Sequence, residues 1–490
     1  MGTEKDDVGA ESSEDDSGIT VTGNGRISNA LFVRPNASPG YWLCILLPLA
    51  FASNLLLENK CYGQVSTQPV LTIAAIGMCI ETLCFFIYIY SKTGLLLKIC
   101  IAFVPGFITT LLCKVLLQQS WSYGLIWAFI ITFVYQKSYI RVLRGFPGCF
   151  SFGEASVLVQ GLMLFLLNVI LKFFNILLKN ENRSTFEDLN IIMMFALMYL
   201  LVVCWLLSVV KVIRGPVYFY ALMVFLVIGV TCTPITNPVP VVFLINFILQ
   251  DQVRVIILAF YLTLVILTIL AVWWQIGNEE KASTRVRKIF HILIVLVFVP
   301  GIIYQCSFLY IGTGVAFAIF TVFELIRVCN VPPLAIPLRR AFASFSDEKD
   351  AGLLALTPFC LLIGCSMPLW ISPCPCGENV YTNDNHRILP LLAGVLTIGF
   401  GDTAASVVGS KFGRIKWRCS KKSLEGTLAF MLTTLLATLC FNYLGYTNLA
   451  PMKWFSTVMA IFTTSLVEAH TDQIDNLTLP IIFYIIVNIC

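Results

Sequence analysis

Residues 399–426 read GFGDTAASVVGSKFGRIKWRCSKKSLEG, a polar, glycine-rich and basic stretch between segments apolar enough to cross a membrane. A carboxylate, hydroxyls and paired lysines are costly beside a bilayer unless they have a task there. Asp402 suits Mg2+, alone or through water, because magnesium sites take one or two carboxylates and leave the rest to water and phosphate. Lys421 and Lys422 suit the β- and γ-phosphates of a nucleotide as point charges. Gly401, Gly409 and Gly413 permit close backbone approach, and loop amides near a helix N-terminus can face phosphate oxygens. Thr403, Ser410, Lys411, Glu425 and Gly426 complete the expected nucleotide loop, residues 401–426, with Ser423 placed to cap a following helix. No GxxxxGK[ST] occurs, so a P-loop is excluded. A positively charged stop-transfer loop accounts for Lys411, Arg414, Lys416 and Arg418, but not for Asp402-Thr403 or Glu425-Gly426. The pattern points to the nucleotide site of a membrane-embedded kinase.

Three further clusters carry possible chemistry. In SLVEAHTDQIDN, Glu468, Asp472 and Asp475 stand at i, i+4 and i+7, one face of a continuous helix. Acids so close repel unless a cation or basic partner joins them. They are candidate metal ligands beside Asp402, or partners for the lysines, or a solvated helix end. In STRVRKIFH, Arg285 and Lys288 lie one turn apart and suit either phosphate or cytoplasmic anchoring. His291, just inside the next apolar run, suits proton transfer or a hydrogen bond to a neighbouring helix. FSDEKDAG adds Asp347, Glu348 and Asp350 in a loop.

The elements that must position these groups follow from composition. The chain has 490 residues, of which 58% are hydrophobic and 12% charged. Soluble domains run near 45–50% and about 25%, so a soluble protein is excluded. Repeated apolar runs of about 20 residues predict an all-α, polytopic transmembrane helical bundle, and the short alternating segments of a β-barrel are absent. Apolar segments fall near 40–57, 69–90, 95–116, 120–136, 155–178, 190–211, 217–232 and 253–275. A second set covers 289–308, 309–328, 351–371, 388–410, 426–445, 453–470 and 477–490, for about 15 spans in all. Residues 1–38 are polar and acidic, the composition of a disordered tail. Residues 39–276 then form an N-terminal transmembrane region and 277–490 a C-terminal catalytic one. Most of the 18 cysteines lie in apolar runs as small hydrophobes, and the CxC pair Cys374 and Cys376 is too little for a zinc site.

Short cytoplasmic loops carry the excess of Lys and Arg. Loops 137–144, 211–214, 281–288, 339–349 and 411–422 are basic, and all share one side if 241–250 does not cross. That run is too short to span and is expected to be re-entrant or interfacial. Loops 58–68, 179–189 and 372–387 then face the lumen, and the N-terminus is cytoplasmic. Asn182, in Asn182-Arg183-Ser184, becomes a possible glycan acceptor, whereas Asn476 does not. The polar clusters at 283–291, 344–350, 402–426 and 468–476 converge on the cytoplasmic face, as an interfacial active site requires.

GDTAASVVGSKFGRIKW followed by KKSLEGT resembles the CTP-binding region of the dolichol kinases, in the polyprenol kinase family. RKIFH, FSDEKDAG and SLVEAHTDQIDNLTLP resemble other segments of that family in the same order, over residues 280–480. FSFGEAS, ending at Ser156, and the run 247–261 are recognisable upstream. The resemblance implies a multi-pass enzyme of the endoplasmic-reticulum membrane that phosphorylates the terminal hydroxyl of dolichol with CTP. Its dolichyl phosphate would serve protein glycosylation and GPI-anchor synthesis, and its nucleotide region maps onto Ser410–Gly426.

The expected site therefore has Mg2+, or another divalent cation, on Asp402 with Glu468, Asp472 and Asp475. CTP phosphates would lie on Lys421, Lys422 and the glycine loop, with Arg285 and Lys288 in support. His291 or a carboxylate takes the alcohol's proton. The partners are dolichol, CTP and membrane lipid; no nucleic acid is expected and no protein partner is indicated. The choice of CTP over ATP rests on the resemblance. The rivals are a CTP-dependent diacylglycerol or phytol kinase, a lipid cytidylyltransferase, and a transporter, whose polar residues belong near the midplane.

Overall fold

The computed structural model describes residues 33–34, 37–58, 67–90, 94–178, 184–277, 284–346, 350, 352–373, 375–376, 388–418 and 420–489. Asn182, Asp347, Glu348, Cys374 and the side chain of Arg285 lie outside the described residues. The chain is all-α: among the described residues the only β-type pairing is an isolated bridge between Lys416 and Ser423.

In the first half, α1 (Leu46–Glu58), α2 (Gln68–Tyr90), α3 (Leu95–Leu116), α4 (Trp121–Phe129) and α5 (Gln136–Gly145) precede the long α6 (Phe152–Leu178). Then come α7 (Thr185–Val209), α8 (Pro216–Cys232), the short α9 (Pro240–Leu249) and α10 (Gln252–Gly277). The second half has α11 (Thr284–Arg287), α12 (Ile289–Tyr304), α13 (Cys306–Cys329), α14 (Ala335–Phe345), α15 (Leu356–Ile371) and α16 (Ile388–Leu391). A π-helical segment, Val395–Asp402, leads into α17 (Thr403–Phe412), followed by α18 (Leu424–Tyr443), α19 (Pro451–His470) and α20 (Asp475–Ile489).

Every apolar segment predicted from the sequence holds a helix among the described residues, although that of 351–371 begins only at Leu356. Among the described residues six helices are long and apolar enough to cross a membrane: Gln68–Tyr88, Phe152–Phe174, Thr185–Val209, Gln252–Gly277, Cys306–Cys329 and Leu424–Tyr443. Shorter apolar helices among the described residues include α8, α12, α15, α20 and α9. Its 10 residues reach about 15 Å at 1.5 Å per residue, half the hydrocarbon thickness.

The core centres on α20, which packs against α1, α15 and α19. Beyond its polar first turn it is almost wholly apolar, so burial on most sides is what its composition demands. Gly364 makes the α15 contact possible: a Cβ there would strike the carbonyl of Asn476. Two sequence expectations are corrected here. Arg34 and Ser38, assigned by composition to a disordered tail, dock onto the first turn of α6 and the turn between α19 and α20. Glu468, Asp472 and Asp475 do not share one helical face, because α19 stops at His470 and α20 starts at Asp475.

Candidate active site

A π-helical turn widens the backbone ladder and often marks a functional site. Here it delivers Asp402, 3% exposed, to the mouth of the C-terminal bundle. Gly401 sets its depth, since a Cβ there would lie 2.6 Å from the ring of Phe430 on α18. Lys288, at the N-terminal end of α12, makes a buried ion pair with Asp402. One turn on, His291 places Nδ1 3.3 Å from Asp402 Oδ2 and 3.5 Å from Lys288 Nζ. Ser406 Oγ, a turn after Asp402, donates to Asp402 Oδ1 at 3.5 Å.

The basic stretch after α17 forms a short finger. Trp417 N donates to Lys422 O at 3.1 Å and Leu424 N to Ile415 O at 2.8 Å. Glu425 ties its base, accepting from the amides of Arg414 at 3.0 Å and Ile415 at 3.1 Å. Ser420 Oγ donates to Ala469 O at 2.7 Å, and Trp417 Nε1 to Thr427 Oγ1 at 2.9 Å, with its ring against His470. So braced, the finger directs Lys422 at Glu468, with which it is ion-paired, and at Asp475, 4.0 Å away. Burial would lower the Lys422 ammonium, but Glu468, Asp475 and Asp402 outweigh it and hold the group above the ordinary lysine range.

Lys288, His291, Asp402, Lys422, Glu468 and Asp475 thus meet at one end of the bundle. Lys421, Lys411 and Ser410 are exposed nearby on the finger and the end of α17, and Thr403 starts α17. Ser423 caps α18 as expected, accepting from Gly426 N at 3.2 Å.

Other expectations change role. The amide of Gly413 donates to Gly409 O, and that of Gly426 to Ser423, so neither is free for phosphate. These glycines instead let α17 and α18 pack: a Cβ on Gly426 would sit 2.9 Å from Ala405 O. Glu425 is occupied by the finger's backbone. Asp472 leaves the cluster, because Ser38 donates to it through its amide at 2.5 Å and its hydroxyl at 2.7 Å. Partial burial opposes its ionisation, yet these bonds and that from Gln473 hold the carboxyl below its ordinary range.

Among the described residues no three His, Cys, Asp or Glu side chains form a ready-made metal cage. Asp402, Glu468 and Asp475 are carboxylates of the kind that Mg2+ shared with phosphate would ask of a protein, one or two at a time. Sequence reasoning missed Ser406, Trp417 and Ser420. The i+4 spacing of Ser406 from Asp402 was readable; the other two act through contacts with α18 and α19.

A family model described as Dolichol kinase matches residues 125–416. The human protein named Dolichol kinase is 32% identical over 374 residues, which cover 73% of this chain and 68% of that one. Dolichol kinase EVAN of Arabidopsis thaliana is 29% identical over 387 residues, 70% of this chain and 65% of the relative. A Phytol kinase of Synechocystis is 34% identical over 97 residues, 19% of this chain and 42% of its own length. No solved structure matches. The chain belongs to the dolichol kinase family.

Proposed function

We propose that this chain transfers the γ-phosphoryl group of CTP to the terminal hydroxyl of dolichol at the cytoplasmic face of the endoplasmic-reticulum membrane. The observation that carries the reading is the convergence of two lysines, a histidine and three carboxylates at the end of a bundle whose flanks are apolar. Dolichol is almost wholly hydrocarbon, so its hydroxyl can meet a water-soluble donor only at the bilayer boundary. Ile289, Ile292 and Leu296 expose an apolar stripe on α12 running away from Lys288 and His291, a surface suited to a prenyl chain.

Phosphoryl transfer asks for alignment and charge neutralisation more than covalent help. In the free site Lys288 and Lys422 are each neutralised by a carboxylate. Donor phosphates take over the two ammonium groups, with Lys421 and Arg285 in support. The carboxylates so released, Asp402 with Glu468 or Asp475, would hold Mg2+, which when bound neutralises charge on the phosphate chain. The alcohol oxygen then bonds to the γ-phosphorus as the bond to the β-phosphate oxygen breaks. CDP leaves, and the alcohol's proton passes to His291 or a neighbouring carboxylate.

The side of the membrane has independent support. Cys306 and Cys376 form a disulfide at the end of α12 opposite Lys288, about 24 Å away over its 16 residues. Disulfides persist in oxidising compartments. A luminal disulfide and a cytoplasmic site are the pairing that geometry favours, and about 15 crossings remain the reading of the full apolar pattern.

The test is an assay of the purified chain with labelled CTP or ATP and with dolichol or diacylglycerol. Label in dolichyl phosphate with CTP alone, and CDP as the second product, is the expected result. Release of pyrophosphate would make the chain a cytidylyltransferase, and label in diacylglycerol would move it to another lipid kinase.

A further inference from the structure

The acidic side of the site is held from outside the C-terminal bundle. Glu154, at the start of α6, is 1% exposed and is the hub of a junction between three distant segments. Its Oε1 accepts from Arg34 Nη2 at 2.7 Å and from the amide of Ile474 at 2.9 Å, and its Oε2 from the amide of Ser151 at 2.9 Å. Arg34 also donates to Asp472 O at 3.2 Å. Gln473 Nε2 donates to Ser38 O at 2.8 Å while its Oε1 accepts from Ser151 Oγ at 2.5 Å. Gly40 completes the fit with φ near 65°; a side chain there would collide with Gln473.

Every residue of the turn from Asp472 to Ile474 is therefore gripped by Arg34 and Ser38 or by Ser151 and Glu154. Ile474 immediately precedes Asp475, and α19 carries Glu468 one turn before the same bend. We propose that the described residues 33–34 and 37–40 act as a strap that positions Glu468 and Asp475 against Lys422, so that a segment ahead of the first apolar helix controls the geometry of phosphoryl transfer. Its residues touch no substrate; they act through the α19–α20 turn. A misplacement of about 1 Å can cost about 10²-fold in rate, which is the leverage such a strap holds. The inference rests on the kinase reading for its rate measurements.

Ser38 and Asp472 are the pair to test, because both lie at the rim of the junction, whereas Arg34 and Glu154 support the fold as well. Ser38→Thr keeps the hydroxyl and should retain full turnover. Ser38→Asp sets two carboxylates face to face and should lower kcat by about 30-fold or more, leaving KM for CTP within about 3-fold. Adding Asp472→Asn to Ser38→Asp restores a donor–acceptor pair and should recover activity to within about 3-fold of wild type, a rescue that general loosening would not give. Hydrogen exchange of amides 471–478 supplies a readout free of substrate: slow in wild type and the rescued double variant, fast in Ser38→Asp. Wild-type kcat and slow exchange in Ser38→Asp would overturn the strap, as would loss of activity in Asp472→Asn with Ser38→Ala unaffected. A wild-type chain that makes no dolichyl phosphate while Ser38→Asp still speeds exchange would count against the kinase reading alone.

Discussion

Lys288 and Asp402, 114 residues apart in the chain, form a buried ion pair that joins α12 to the π-helical segment. Under the proposed function, the pair would keep a cation meant for donor phosphate and an acid meant for Mg2+ in mutual check until a donor arrives. Asp402→Asn keeps the shape of the side chain and removes its charge. It should abolish detectable transfer, by about 10²-fold or more, while the protein still inserts and folds. Near-normal turnover would end the role assigned to Asp402.

Removing the cation is a matter of stability as well as rate. Lys288→Met leaves Asp402, 5% exposed at its side chain, without its directly paired cation, at a cost of up to about 3–5 kcal/mol. Thermal unfolding in detergent should show that loss, with Lys288→Arg close to wild type. Lys288→Met combined with Asp402→Asn should be more stable than Lys288→Met alone, because the stranded charge has gone. A double variant that merely sums the two losses would mean the pair is not coupled.

Lys422 makes a prediction about pH. Its pKa is raised, so the stabilisation from pairing is fully present below the free lysine value of about 10.4 and is lost only as pH rises through the folded value. Lys422→Met should lower kcat/KM by a constant factor of about 10²–10³ from about pH 6 to about pH 9, without shifting the optimum. A deficit that narrows toward the alkaline end would show the ammonium titrating there.

The two ends of α12 should differ in access. With the exposed Cys232 and Cys440 replaced by serine, a cysteine placed at the disulfide end of α12 by Tyr304→Cys should react with an impermeant thiol reagent only once the lumen is opened. A cysteine placed on the exposed finger by Lys421→Cys should react in sealed microsomes. Reaction of both from one side would remove the support that the disulfide lends to a cytoplasmic site.

Much of this molecule was legible in one dimension. Hydropathy is a local property, so the helical segments and the membrane class could be read directly. The stretch around Asp402 and Lys422 announced itself because polar groups are expensive where it sits. RKIFH and SLVEAHTDQIDN were identifiable for the same reason, as charge at the ends of apolar runs. What could not be read was which charge meets which. Spacing put Glu468, Asp472 and Asp475 on one face, but that holds only if the helix continues, and it breaks at His470. The break is stabilised by Ser38 and Glu154, more than 300 residues away in sequence. Gly409 and Gly426 looked like a phosphate cradle because glycine is permissive in any setting; packing used them to bring α17 against α18. Partner choice depends on side-chain direction and distance across the assembled bundle, where a shift of a few ångströms decides between an ion pair and an empty contact. Such information exists only once the chain has folded.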